Sequence, residues 1–276
     1  MKLNLPDSLE SSDVYANDPF PLFEIENILD EKTYKELLEE FPDSSFFNKK
    51  RAKLGNKSSL SCIDSSFFEF LEQSSIWKSF YLTMNSETMV KKLFRLMMND
   101  LNKIPERSIF PRKITLENIK LVKKWRLDRL SKLYNKISYL FKPKTNRIRI
   151  FFEFSRLEND CFVPPHTEAD GKIFTLLIYF PSQNISEFDK ERLGTNFYKK
   201  TKNNLDIWDS EQMNEAEANN FYKNYDIFYK TKFSKNKLSG FIKTSNSWHD
   251  TIRFDNLKED RKSFNMFFYQ YHKYRI

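Results

Sequence analysis

The chain has 276 residues, 46 Lys+Arg against 38 Asp+Glu for a formal charge of +8, and 39% apolar residues. Its 28 Phe, 13 Tyr and 4 Trp exclude a disordered chain, which lacks the apolar area that offsets ordering entropy. The apolar runs are far shorter than the roughly 18 residues a membrane-crossing helix needs. The opening MKLNLPDSLESSD has no signal-peptide core, and Cys62 and Cys161 cannot make a disulfide framework, so a cytoplasmic protein is expected.

In chain order, residues 1–18 are a polar lead-in, and residues 20–28 (FPLFEIENI) partly alternate and predict a strand. Asp30 is a candidate N-cap for a helix with Tyr34, Leu37, Leu38 and Phe41 on its apolar side, stopped by Pro42. Residues 44–63, rich in Ser, Lys and Asn, predict a loop. Residues 65–98 carry apolar positions at helical spacing, among them Phe67, Phe70, Leu71, Trp77, Phe80, Val90, Leu93, Phe94 and Met97.

The basic excess is local. Residues 103–147 hold 14 Lys+Arg and 3 acids, net +11, and the remainder is slightly acidic at −3. Ile119, Val122, Leu130, Leu133, Ile137 and Leu140 fall mostly three or four apart, with Arg126 interrupting. That spacing predicts a basic amphipathic helix, either a solvated face or a docking surface for an acidic partner.

At Ile148 the period changes. IRIFFEFSRL, KIFTLLIYF, LGTNFYKK, SGFIKTSNSWHDTIRF and KSFNMFFYQYH are short, aromatic and β-branched, and predict strands. Residues 202–239 predict a long excursion between two of them. Helices early and strands late give an α+β reading, with helices on one face of a sandwich or barrel. One domain over 1–276 is expected, with residues 18–147 as strand and helical support and 148–276 as the core.

Two of the three histidines sit among polar neighbours, in PPHTEADGK and NSWHD. Residues i and i+2 on a strand share a side, so His166 and Glu168 can share one metal ion, and His249 can complete the set. Two imidazoles and a carboxylate with open positions suit non-haem Fe(II), although zinc uses the same donors. Twelve residues after His249 comes Arg261, with Ser263 on the same strand face, and a guanidinium beside a hydroxyl is a good carboxylate receptor.

On these residues the sequence resembles the 2-oxoglutarate- and Fe(II)-dependent dioxygenases. HTEADGKIFTLLIYFP is similar to the family's first metal motif and following strand, LGTNFY to its Gly-Thr strand, and NSWHD to its distal-histidine segment. NDPFPLFEIENILDEKTYKELLEEFPD resembles the N-terminal strand and helix of prolyl-hydroxylase-like members. The resemblance implies a double-stranded β-helix (jelly-roll, cupin-like) core with N-terminal helices packed on one face. It implies iron ligands His166, Glu168 and His249, and 2-oxoglutarate held by Arg261 and Ser263, with Thr175 or Tyr179 adding a hydroxyl.

Most relatives have Asp at the position of Glu168, and Asp170 is the alternative carboxylate. A carboxylate there argues against the halogenating branch, which carries a small residue instead. The implied reaction hydroxylates an amino-acyl, peptide or small-metabolite C–H bond, using O₂ and releasing succinate and CO₂, with ascorbate as a supporting reductant. A nucleic-acid partner is not expected, because the demethylase branch carries a second arginine where this chain has Phe267. The alternative from another class is a non-catalytic β-helix module docking an acidic partner through the basic helix. Trp248, Cys161 and His272 are read as packing or local hydrogen bonding, Gly194 and Gly240 as close backbone approaches. Arg147 and Arg149 share a face that meets either solvent or an anionic substrate.

Overall fold

The computed structural model describes residues 1–7, 9, 14–47, 57–103, 114–123, 145–169, 171–182, 184–201, 213, 215–257 and 259–270. Strands β1 (Val14–Ala16) and β2 (Leu22–Glu26) lead into helix α1 (Glu31–Glu39). Asp30 caps α1 by accepting from the Thr33 amide at 2.9 Å, and Tyr34 and Leu37 form its buried stripe. Helices α2 (Ser65–Gln73), α3 (Ser75–Met84) and α4 (Glu87–Lys103) follow. Ser74 ends α2 and caps α3 through the Trp77 amide.

The stretch 44–63 is not all loop. Its end forms β3 (Ser58–Ser61), which pairs antiparallel with β5 (Asn146–Leu157). The start of the expected basic helix is also strand. Ile119–Leu121 forms β4, parallel to β5, with Ile119 and Leu121 buried around exposed Lys120. Two-residue alternation against an available strand edge overrides the three- to four-residue spacing here. Residues 124–144, where the rest of that helix was expected, lie outside the described residues.

From β5 onward come β6 (Val163–His166), β7 (Lys172–Tyr179), helix α5 (Glu187–Arg192), β8 (Asn196–Lys200), helix α6 (Glu215–Phe221), β9 (Tyr225–Lys230), β10 (Lys237–Ile242), β11 (His249–Thr251) and β12 (Arg261–Gln270). The excursion 202–239 therefore contains a helix, a whole strand and the start of another; residues 202–212 and 214 lie outside the described part. SGFIKTSNSWHDTIRF is two strands rather than one, broken by a turn in which the Ser247 hydroxyl donates to the Thr244 carbonyl at 2.9 Å.

The pairings nest: β5 with β12, β6 with β11, β7 with β10, β8 with β9, all antiparallel. The larger sheet has the order β1-β2-β10-β7-β12-β5-β3 with β4 beside β5; the smaller runs β6-β11-β8-β9. This is a double-stranded β-helix.

Alternation along the larger sheet separates its faces. Phe152 and Phe154 of β5, Phe174, Leu176 and Ile178 of β7, and Phe264, Met266 and Phe268 of β12 join the helices in one core. Trp77 is its hub: its ring lies 4.6 Å from Phe154 and 5.2 Å from Phe264, and its indole N–H donates to the Leu37 carbonyl at 3.0 Å. At Gly194 an added Cβ would fall 1.6 Å from the Thr231 carbonyl oxygen. Only glycine lets the chain pass there and deliver Thr195 to the space between the sheets. No helix among the described residues is long and apolar enough to cross a membrane.

Candidate metal centre

The two sheets enclose a cavity of about 320 Å³ whose lining includes His166, Glu168, His249, Arg261 and Ser263. His166 ends β6 and His249 opens β11, and they are direct partners in the antiparallel register, with ring centroids 4.2 Å apart. Glu168 lies beyond the end of β6. Its convergence therefore does not come from strand alternation, as the i, i+2 spacing suggested; Thr175 and Lys172 aim it.

One ligand atom from each of His166, Glu168 and His249 can be chosen so that all three lie within 4.8 Å of one another, a group that could hold a metal ion. The Nδ1 atoms of His166 and His249 sit 2.9 Å from the Pro164 and Ser247 carbonyl oxygens. Donation from Nδ1–H to these carbonyls fixes the tautomer whose Nε2 lone pair is available to a metal. Burial pushes His249 down to about 3, with the neighbouring His166 adding to the effect, and burial lowers His166 as well. Both rings are thus neutral at neutral pH, the form that ligates.

Glu168 accepts from the Thr175 hydroxyl at 2.7 Å and from the buried Lys172 ammonium. Burial acts to raise the Glu168 carboxyl, but Lys172 overrides it and holds the group well below the usual carboxylate range. The Lys172 ammonium also stands 3.8 Å over the Phe267 ring centre. Asp170 lies outside the described residues, as does His272.

Arg261 opens β12 and is buried. Its Nε donates to the Leu193 carbonyl at 2.6 Å, and one terminal nitrogen donates to the Tyr179 and Thr195 hydroxyls at 3.2 and 3.0 Å. Arg261 makes no ion pair within the described residues. A guanidinium held this deep among hydroxyls can receive an anion, since an uncompensated buried cation is costly. Tyr179 further bonds Thr195 and Thr231 at 2.7 and 2.9 Å. Thr175 thus stands with Glu168 while Tyr179 stands with Arg261. Beside His249, the buried Asp250 carboxylate accepts from Asn196, Tyr198 and Tyr222 at 2.8, 2.9 and 2.7 Å, tying β11 to β8 and to the turn after α6.

Lys172, Thr195 and Thr231 escape the sequence reading because nothing in their spacing marks them. Glu153 and Asn265 were within reach: extending the alternation from Ser263 reaches Asn265, and the register pairs Asn265 with Glu153. Trp248 packs with Tyr198, Met213, Phe221 and Tyr225, and Cys161 is buried among Leu157, Leu177 and Tyr179.

No protein-family model matches the chain, and no curated protein sequence matches it. Solved structures do. The chain is similar to a prolyl 4-hydroxylase from Pseudomonas putida at 8% identity over 91% of this chain and 94% of that one, TM-score 0.45. It is similar to HygX from Streptomyces hygroscopicus, solved with nickel, 2-oxoglutarate and hygromycin B, at 10% identity over 96% and 88%, TM-score 0.47. It is also similar to a Trichoplax adhaerens prolyl hydroxylase bound to a hypoxia-inducible-factor peptide fragment, at 10% identity over 90% and 83%, TM-score 0.44.

Proposed function

We propose that the protein is a non-haem Fe(II)- and 2-oxoglutarate-dependent oxygenase that hydroxylates an amino-acyl, peptide or small-metabolite C–H bond. The observation that carries this reading is one cavity holding both a two-histidine, one-carboxylate cluster and a buried guanidinium without an ion-pair partner among the described residues. A closed zinc site would explain the cluster but not the guanidinium.

His166, Glu168 and His249 would hold the iron, and Arg261 with Ser263 and Thr195 would hold the distal carboxylate of 2-oxoglutarate. Arg261 supplies the charge and Tyr179 braces it from behind. Iron and 2-oxoglutarate together supply an oxidant, made from O₂, able to take hydrogen from an unactivated carbon. In balance, substrate C–H, O₂ and 2-oxoglutarate give substrate C–OH, succinate and CO₂. The chain orients both carboxylates, keeps both imidazoles neutral and walls the reaction from bulk water.

The test is Fe(II) titration by calorimetry followed by succinate assay with pooled amino acids, peptides and small metabolites. Submillimolar metal binding and Fe(II)-dependent succinate release are expected. Absence of both overturns the reading.

A further inference from the structure

On its β5 side the cavity has polar groups that neither the metal cluster nor the guanidinium uses. Going along β12 from Arg261, the cavity-facing positions are Ser263, then Asn265, then Phe267. Asn265 is level with Glu153 of β5, and Phe267 is level with Thr175 of β7, which bonds Glu168. The Asn265–Glu153 position thus lies on the β5 side between the Arg261 and metal levels of β12, about 7 Å along the strand from the level of the metal-ligand carboxylate. That is the distance at which a small molecule can be anchored while one of its carbons reaches the metal.

Glu153 is buried and bonds Lys57 at 2.5 Å and Asn265 at 3.2 Å, both through Oε1. Lys57 and Glu153 side chains are only 13% and 10% exposed, and both line the cavity. A nearly buried ion pair contributes little net stability, because desolvation offsets its Coulomb gain, and an apolar pair would serve the fold as well. Its two charges cancel, so an anchored ligand with a net charge would bring in a charge the pair does not balance. A ligand bearing both signs side by side satisfies both: its ammonium meets Glu153 Oε2 and its carboxylate meets the remaining Lys57 N–H groups. Phe151 and Phe267 add an apolar wall beside the pair. The cavity volume, about 320 Å³, lies at the low end for ligand pockets and must also take the co-substrate.

We propose that Lys57, Glu153 and Asn265 form the prime-substrate subsite and that it takes a free α-amino acid as its zwitterion. This rests on the oxygenase reading for the chemistry, but not for the binding.

The test uses the full chain with Fe(II) and 2-oxoglutarate under anaerobic conditions. Each of the twenty free L-α-amino acids is titrated by calorimetry beside its N-acetyl and methyl-ester forms, and succinate release in air is then measured with each. At least one free amino acid should bind and accelerate succinate release, and blocking either charged end should weaken binding by tenfold or more. Glu153→Gln and Lys57→Met should each raise its dissociation constant at least tenfold, with Lys57→Met the safer variant should Glu153→Gln fold poorly. The proposal is overturned if no free amino acid binds, or if blocked forms bind as well as free ones. Amino-acid binding without any succinate release keeps the subsite and overturns the oxygenase reading; succinate release driven only by blocked or peptide substrates does the reverse.

Discussion

Strand β12 turns Phe264, Met266 and Phe268 towards the helices, and Arg261, Ser263, Asn265 and Phe267 towards the cavity. Strand β5 does the same with Phe152 and Phe154 against Glu153 and Ser155. The first face is built from rings packed edge-on or tilted around Trp77. The second is built from charges and hydroxyls that bond one another across the sheet. One face holds the strands still, so the other can keep buried polar groups at fixed distances without water. Substitutions on the two faces should accordingly fail in different ways.

The largest separation is expected at the metal cluster. His166→Ala or His249→Ala should lower turnover by at least about a thousandfold, roughly 4 kcal/mol in the barrier. The melting temperature of the metal-free protein should move by only a few degrees. A variant that keeps a tenth of wild-type turnover would break the assignment.

Trp77→Ala is the converse. It empties the centre of the packed face and should cost about 3–5 kcal/mol in denaturant unfolding. Whatever folded protein remains should bind 2-oxoglutarate as the wild type does, because the rings Trp77 packs against, Phe154 of β5 and Phe264 of β12 among them, lie on the helix side and do not line the cavity. A change in co-substrate affinity larger than the change in folded fraction would show that the faces are coupled.

Arg261→Lys is a finer cut within the cavity. The ammonium keeps the charge but loses the planar fork that donates to Leu193, Tyr179 and Thr195. The KM for 2-oxoglutarate should rise by about 10- to 100-fold, with a smaller change in kcat. An equal fall in kcat would move Arg261 from binding to the chemical step.

The same two-face logic explains what the sequence made legible. Phe-rich alternation announces strands, and where the chain uses one residue type per face, as in β7 and β12, the reading extends to which side chains meet. His166 and His249 were visible because histidine is scarce here and both sit among polar residues. The failures share a cause. Ser58–Ser61 and Ile119–Leu121 are strands because β5 offers them an edge, a tertiary fact absent from local spacing. Lys57 and Lys172 look like any surface lysine until the fold places Glu153 and Glu168 beside them.

Lys172 gives the smallest and most discriminating effect. Its ammonium sits on Glu168, the carboxylate we propose for a dication, so protein and metal would compete to neutralise the same charge. Lys172→Met keeps an apolar stem of similar length and removes the charge together with the cation–π contact on Phe267. The metal-free variant should be less stable than wild type by about 1–3 kcal/mol, because Glu168 stays buried with Thr175 as its one remaining hydrogen-bond donor among the described residues. Adding a divalent cation restores the missing positive charge at that carboxylate. The rise in melting temperature on adding Co(II) or Ni(II) should therefore be larger in Lys172→Met than in wild type, by a few degrees. A smaller rise would mean that Lys172 helps to hold the metal-binding geometry rather than standing in for the metal's charge, and a scan of the two proteins with and without metal separates the two.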